Sequence, residues 1–344
     1  MSTALKTTPS TTRMAVTAFL VSALSACAGG GTGNPNAVTT TPNGVTLPLV
    51  STLVSSVPAA SYAPASEALA AFNLVNAERA HCGFGLLAQN TQLDRAAAAH
   101  TRYELLNAIY VTHDELPTNP GFSGVDPGAR AKTQGYSGAG AVGEVAAATS
   151  AMPGVNPGEQ AIRLWLSAPY HQAGLLASYR DVGISILADS SIIRRAIINL
   201  GIATNTMPQL PSSTEVSTYP CAGSTGVNRL LRGETPNPVP GRDLSINPIG
   251  TPVLVQVRSG HTLTVTSASM IGVSNGQVIA LRPAIGSAND PNGVKGVSPY
   301  FAGNTAYVAP DSALEPNAQY QMQVNGTNNG VPFGRTFTFT TGAE

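Results

Sequence analysis

The spacing of hydrophobic positions changes character several times along the chain, and each change marks a unit. Met14 to Ala23 is a short, largely apolar run. Residues 28–65 show no period and no charged side chain, and are rich in Gly, Pro, Thr, Ser and Ala. From Ser66 the pattern becomes helical: Ser66 suits an N-cap, and Leu69, Phe72, Leu74 and Val75 lie near helical spacing before Arg79 and a stop at Gly83. Thr91, with Asp94 three residues on, is expected to cap a second helix running through Ala96 to Leu106. A third covers Ala129 to Gln134, and a fourth Glu159 to Ser167 with Ile162 and Trp165 on one face. β-like runs lie between and after them at Gly143 to Ala148, Val182 to Ala188 and Arg195 to Thr204. Helices interleaved with a small, mostly antiparallel sheet predict an α–β–α layered domain.

Past Pro208 the helical period disappears and Pro and Gly punctuate the chain, as in Thr235 to Gly241. Short alternating runs follow at Val253 to Val257, Leu263 to Ser267, Val278 to Leu281, Tyr320 to Val324 and Phe333 to Phe339. Asn329-Gly330 between the last two is a strong hairpin signal. Leu314-Glu315-Pro316-Asn317 leading into Tyr320 resembles the corner before a late strand of a bacterial Ig-like sandwich, where a tyrosine hydrogen-bonds back to backbone. The fold class expected is therefore α+β, a layered domain followed by an all-β sandwich. The units are 1–26, a tether over 27–65, the layered domain over 66–205, a linker over 206–216 and the sandwich over 217–344.

Composition narrows the partners. Only 10% of the 344 residues are charged, 18 basic against 18 acidic, while 42% are hydrophobic. Balanced charge excludes an electrostatic nucleic-acid binder, and the hydrophobic content excludes wholesale disorder.

The amino end reads as an export signal. Lys6 and Arg13 precede the apolar run, which is too short for a bilayer span and ends in Leu24-Ser25-Ala26-Cys27. This resembles a bacterial lipobox, implying a lipid anchor on Cys27 and a place in the cell envelope, the outer membrane being favoured by Ala28, or outside the cell. Cleavage there removes two of the 18 basic residues and no acid, leaving 16 against 18. Cys82 and Cys221 remain as an even pair in an oxidising compartment, and a disulfide between them is expected.

Five histidines can be weighed one by one. His81 sits at a helix end beside Cys82, His261 in a polar turn expected at the surface, and His100 in mid-helix, where a hydrogen-bonded structural role suffices. His113 and His171 have more suggestive neighbours. Asn76-Ala77-Glu78-Arg79, Ala97 to His100, His113, Gly143-Glu144-Val145, Trp165 with Ser167 and His171, and Val182-Gly183-Ile184-Ser185 follow one another in order. In that order and spacing they resemble the CAP superfamily (cysteine-rich secretory proteins, antigen five, pathogenesis-related one), over about Ser66 to Thr204.

The resemblance implies a shallow cleft lined by His113, Glu144 and His171. Two neutral imidazoles and a carboxylate suit zinc or another divalent cation. Two departures matter: Val145 replaces the usual Asn after the glutamate, and the window from Trp165 to His171 holds no second acid. A two-glutamate catalytic scheme therefore fails, and Glu144 is left as the candidate base. Gly138 to Gly143 matches G-x-G-x-x-G, but β-like residues follow, which excludes a dinucleotide loop. Three functions stay open: a surface-displayed module whose cleft binds a metal, lipid or small apolar ligand; a metal-dependent hydrolase using His113, His171 and Glu144; and a structural or adhesive envelope protein that contacts a surface protein partner.

Overall fold

The computed structural model describes residues 38–40, 46–48, 50–138, 142–189, 192–294 and 296–343. The export signal, Cys27 and the glycine-rich run behind it lie outside the described residues. Two short strands, β1 (Val38–Thr40) and β2 (Thr46–Pro48), pair antiparallel. Residues 50–65, assigned to the tether by composition, lie on the folded body: Thr52 N–H donates to Leu210 O at 2.8 Å, and Tyr62 packs on the first core. Composition misplaced them because an uncharged Ser/Ala/Val/Pro segment is as able to pack as to dangle.

Helix α1 (Glu67–His81) begins where the Ser66 hydroxyl accepts from Leu69 N–H. Strand β3 (Ala88–Gln89) leads into α2 (Thr91–Leu106), whose cap is Asn90 rather than Thr91: its Oδ1 accepts from Gln92 N–H at 3.0 Å and Leu93 N–H at 3.2 Å. Asp94 is consequently free for tertiary work and accepts from Tyr62 Oη and Ile184 N–H. Helix α3 (Pro127–Thr133), capped by Asp126, precedes β4 (Val142–Ser150), so a strand does follow the glycine-rich run. Helix α4 (Pro157–Leu166) is followed by α5 (Pro169–Leu175), which the hydrophobic period did not disclose, and by β5 (Asp181–Ala188) and β6 (Ile193–Gly201).

These strands form a sheet in the order β3-β5-β6-β4, antiparallel except for the parallel β3–β5 pair. Alternation along the strands splits their side chains between two faces. Val145, Val182, Ile184, Ile198 and Leu200 join Phe72, Trp165 and Leu175 in one core beneath α1, α4 and α5. Glu144, Ala146, Ile197 and Asn199 point the other way, towards α2 and α3. Gly183 lets α2 approach β5 closely, since a Cβ there would lie 2.1 Å from the Leu93 carbonyl carbon.

The remaining strands are β7 (Val216–Tyr219), β8 (Val253–Val257), β9 (Leu263–Gly272), β10 (Val278–Ile279), β11 (Ile285–Gly286), β12 (Thr305–Val308), β13 (Gln319–Asn328) and β14 (Val331–Thr340). They make two four-stranded sheets, β10-β9-β13-β14 and β11-β12-β8-β7. Val253, Val255 and Val257 pack against Met322, Val324, Phe337 and Phe339 between the sheets. Asn329 and Gly330 turn the β13–β14 hairpin with φ of 52° and 80°, the left-handed pair a tight hairpin needs. Tyr320 Oη accepts from Glu315 N–H at 2.8 Å, the backbone bond expected at that corner. His261, expected at the surface, is buried with Nδ1 2.7 Å from Asn328 Oδ1, because the β13–β14 turn folds over it.

The two halves share a core. Tyr219, Leu254 and Tyr307, on the far face of the β7–β8–β12 sheet, belong to the cluster that contains Trp165 and Leu175. That sheet is covered on both sides, which is why β8 reads Val-Leu-Val-Gln-Val with little alternation. Gln209, within the expected linker, donates to Leu86 O and Tyr179 O and accepts from Val54 N–H. The Cys82–Cys221 disulfide, with Cα atoms 5.5 Å apart, ties the end of α1 to the segment after β7. No helix among the described residues is long and apolar enough to cross a membrane.

Candidate functional site

His113 and Glu144 meet beneath α2 in a buried ionic cluster. His113 Nδ1 lies 2.9 Å from Glu144 Oε1, and Arg130 on α3 reaches both residues, donating to Glu144 Oε2 and to His113 O at 2.8 Å each. The Asn199 amide, with its nitrogen turned to Glu144, adds a donor to Oε2 at 2.9 Å. Burial would raise the Glu144 carboxyl, but Arg130, His100 and His113 outweigh it and hold it at about 2. His100, in the middle of α2, faces acceptors with both ring nitrogens, Glu115 Oε1 at 2.9 Å and Thr112 O at 2.8 Å. Burial opposes its charge, yet Glu144 and Glu115 raise its pKa overall. Two cations, His100 and Arg130, thus face two anions, Glu115 and Glu144. Glu104 is the odd carboxyl: burial pushes it up to about 7, and its Oε2 has no partner in the protein.

His171 stands on α5, on the other side of the sheet and at the junction of the two halves. Arg79, the arginine of the Asn-x-x-Arg motif, positions that helix: wholly buried, it donates to Leu175 O, Ala177 O, Phe84 O and Gly85 O. Burial without a carboxylate partner lowers its guanidinium to about 9. Asn76 of the same motif clasps Leu87 through both its amide atoms. Both motif residues hold backbone. Gln172 fastens α5 to the sandwich through Tyr219 O and Pro252 O.

The window from Trp165 to His171 holds no acid, and a carboxylate reaches His171 from the C-terminal half. Glu234 Oε1 lies 2.7 Å from His171 Nδ1 and accepts from the backbone N–H groups of Tyr170 and His171 at 3.0 and 2.9 Å. Burial raises the Glu234 carboxyl despite those donors. Next to it, Tyr170 Oη donates to Asp290 Oδ1 at 2.7 Å.

Each of the two predicted histidines therefore turns Nδ1 to a carboxylate and leaves a buried Nε2 without a partner. That is the arrangement in which a carboxylate fixes the tautomer of a metal-binding imidazole. Each imidazole offers one nitrogen that suits a divalent cation, but the two stand on opposite faces of the sheet and do not form one ligand set. Glu144 does not join them as a free ligand, because both its oxygens are committed to His113, Arg130 and Asn199. The only group of three His, Cys or acid donors within 4.8 Å of one another, among the described residues, is His81, Cys82 and Cys221, and its sulfurs form the disulfide.

No family model matches the chain. No curated protein matches it either. Among solved structures, an outer surface protein from Borrelia burgdorferi is similar at 17% identity and a TM-score of 0.31, over 39% of this chain and 90% of that one. A likeness of that size carries no argument about activity.

The residues that sequence reading missed are Arg130, Glu115, Glu234 and Asp290. Arg130 lay in a predicted helix with nothing to single it out. Glu115, two residues after His113, could have been paired with His100 only by knowing that α2 packs over that loop. Glu234 sits 63 residues from His171 in a Pro-Gly stretch without a motif.

Proposed function

We propose that this chain is a lipid-anchored envelope protein of the CAP type, carrying an Ig-like sandwich, whose task is to bind rather than to catalyse. The ligand in this reading is a divalent cation, zinc first, offered Nε2 of His113 beneath α2 and Nε2 of His171 at the junction, one on each face of the sheet, with Glu144 and Glu234 orienting the two rings. One observation carries the reading: two buried imidazoles, each with Nδ1 on a carboxylate and Nε2 unpartnered. A bound cation would supply Lewis acidity there. Hydrolysis is the weaker reading because a general base works best near the operating pH, and Glu144 is held at about 2 with both oxygens occupied.

Isothermal titration of Zn²⁺ into the soluble chain is expected to show saturable binding. His113→Ala and His171→Ala should each weaken it by about tenfold or more, in the range found for altered metal-site partners. Absence of heat with the unaltered chain defeats the cation reading. Turnover of an ester or peptide in the presence of zinc would restore the hydrolase.

A further inference from the structure

A cavity of about 130 Å³ lies where α5 and β4 of the first half meet the loop before β12 of the second. Val145, Ala173, Gly174 and Leu200 line it from one side, Tyr300 and Phe301 from the other. Its aromatic wall is continuous: Tyr170 lies 4.4 Å from Tyr300 and 5.2 Å from Phe301, centroid to centroid. The wall is also held in place. Ser298 Oγ donates to Asp290 and accepts from the N–H groups of Tyr300 and Phe301 at 2.9 Å each. Asp290 in turn accepts from Tyr170 Oη. Little side-chain ordering is left for a ligand to bring about.

Two lining residues carry a buried polar atom without a protein partner, His171 Nε2 and Gln256 Oε1, and His171 is the one next to Tyr170 of the aromatic wall. Glu234 accepts at Nδ1, so the ring proton sits on Nδ1 and Nε2 offers a lone pair. That nitrogen is buried and has no protein partner. A dry cavity of about 150 Å³ is known to hold one benzene ring. A ring ligand also suits edge-to-face contact with the aromatic wall. An anion would face the Glu234 carboxyl, whereas a neutral hydroxyl meets the free acceptor.

From this we infer that the junction is a pocket for a small neutral phenol, one aromatic ring with a hydroxyl donating to His171 Nε2. The C-terminal half is then part of the binding site, supplying the aromatic wall and, through Glu234, the histidine tautomer. The inference rests on reading the His171 side as a binding site, and it does not need a cation, because His113 is not among the lining residues.

The test is fluorine NMR titration of para-fluorophenol into the chelator-treated full chain, with fluorobenzene as the probe lacking the hydroxyl. Saturable binding of the phenol is expected, with fluorobenzene about tenfold weaker, the size of one hydrogen bond. His171→Phe should erase that difference. Ala302→Trp, at an exposed rim position where folding is not at stake, should weaken both probes about tenfold or more by filling the mouth with a ring-sized side chain. His113→Ala should leave both probes unchanged. No saturation, equal affinity for the two probes, indifference to Ala302→Trp, or loss of binding in His113→Ala would each overturn the pocket. Failure of zinc to bind while the phenol saturates defeats the cation reading alone.

Discussion

Beneath α2 the first half buries His100, Glu104, His113, Glu115, Arg130 and Glu144 side by side, whereas the core between the two C-terminal sheets is Val, Met, Leu, Phe and Tyr. The ionic cluster is expensive to desolvate, and it holds together because each charge has a partner with hydrogen-bonding geometry. The sandwich core needs only volume and shape. Buried charge is present in one place and not the other, although stability alone does not require it. The junction borrows from both: an aromatic wall from the sandwich and a histidine from the helices, joined through Glu234.

Swapping charge against swapping shape should break this contrast most forcefully. Arg130→Met keeps most of the volume but leaves Glu144 buried without its cation, and is expected to cost about 3–5 kcal/mol. Met322→Leu in the sandwich, also volume-conserving, should cost less than about 1.5 kcal/mol. Urea denaturation of the two variants measures both, and equal losses would mean the cluster is not held by charge.

Acidity should separate the halves next. Glu144 is held at about 2 against an ordinary 4.5, so its contribution is present above pH 4.5 and is lost as pH falls towards 2. The loss is on the order of 3 kcal/mol. Glu104, raised to about 7, works in the opposite sense: its neutral form stabilises below pH 4.5, and that contribution is lost as pH rises through 7. Denaturation midpoints measured from pH 2 to 8 should fall on the acid side, and Glu144→Gln should flatten that limb while Met322→Leu leaves it intact.

The smallest effect belongs to the sandwich corner. Tyr320→Phe removes the acceptor for Glu315 N–H and should cost about 1 kcal/mol, with no change in the pH profile. A pH-dependent loss in that variant would show that the halves are electrostatically coupled.

Much of the fold was legible locally. Ser66 capping α1, the β13–β14 hairpin at Asn329-Gly330 and the Tyr320 corner depend on residues within a few positions of one another. The site was legible in part. His113 and His171 stood out by their neighbours, and the structure gives each a carboxylate on Nδ1; Glu144 is one of them, though as a partner to Arg130 and His113 rather than a free ligand. Helix α5 was hidden because Pro169 to Leu175 is a single short stretch buried nearly all round, which shows no apolar stripe. His261 was misplaced because the turn that covers it comes 67 residues later.

By itself, then, the sequence determined the periods, the Ser66 cap, the hairpin turn and the pairing of Cys82 with Cys221, because these follow from short-range geometry or from arithmetic on two remaining cysteines. Tertiary structure alone decided which carboxylate each histidine meets, that Arg130 commits Glu144, and that the second half closes over His171. Those outcomes depend on which faces pack together, and a buried charge shows its partner only once the chain has brought distant residues within hydrogen-bonding reach.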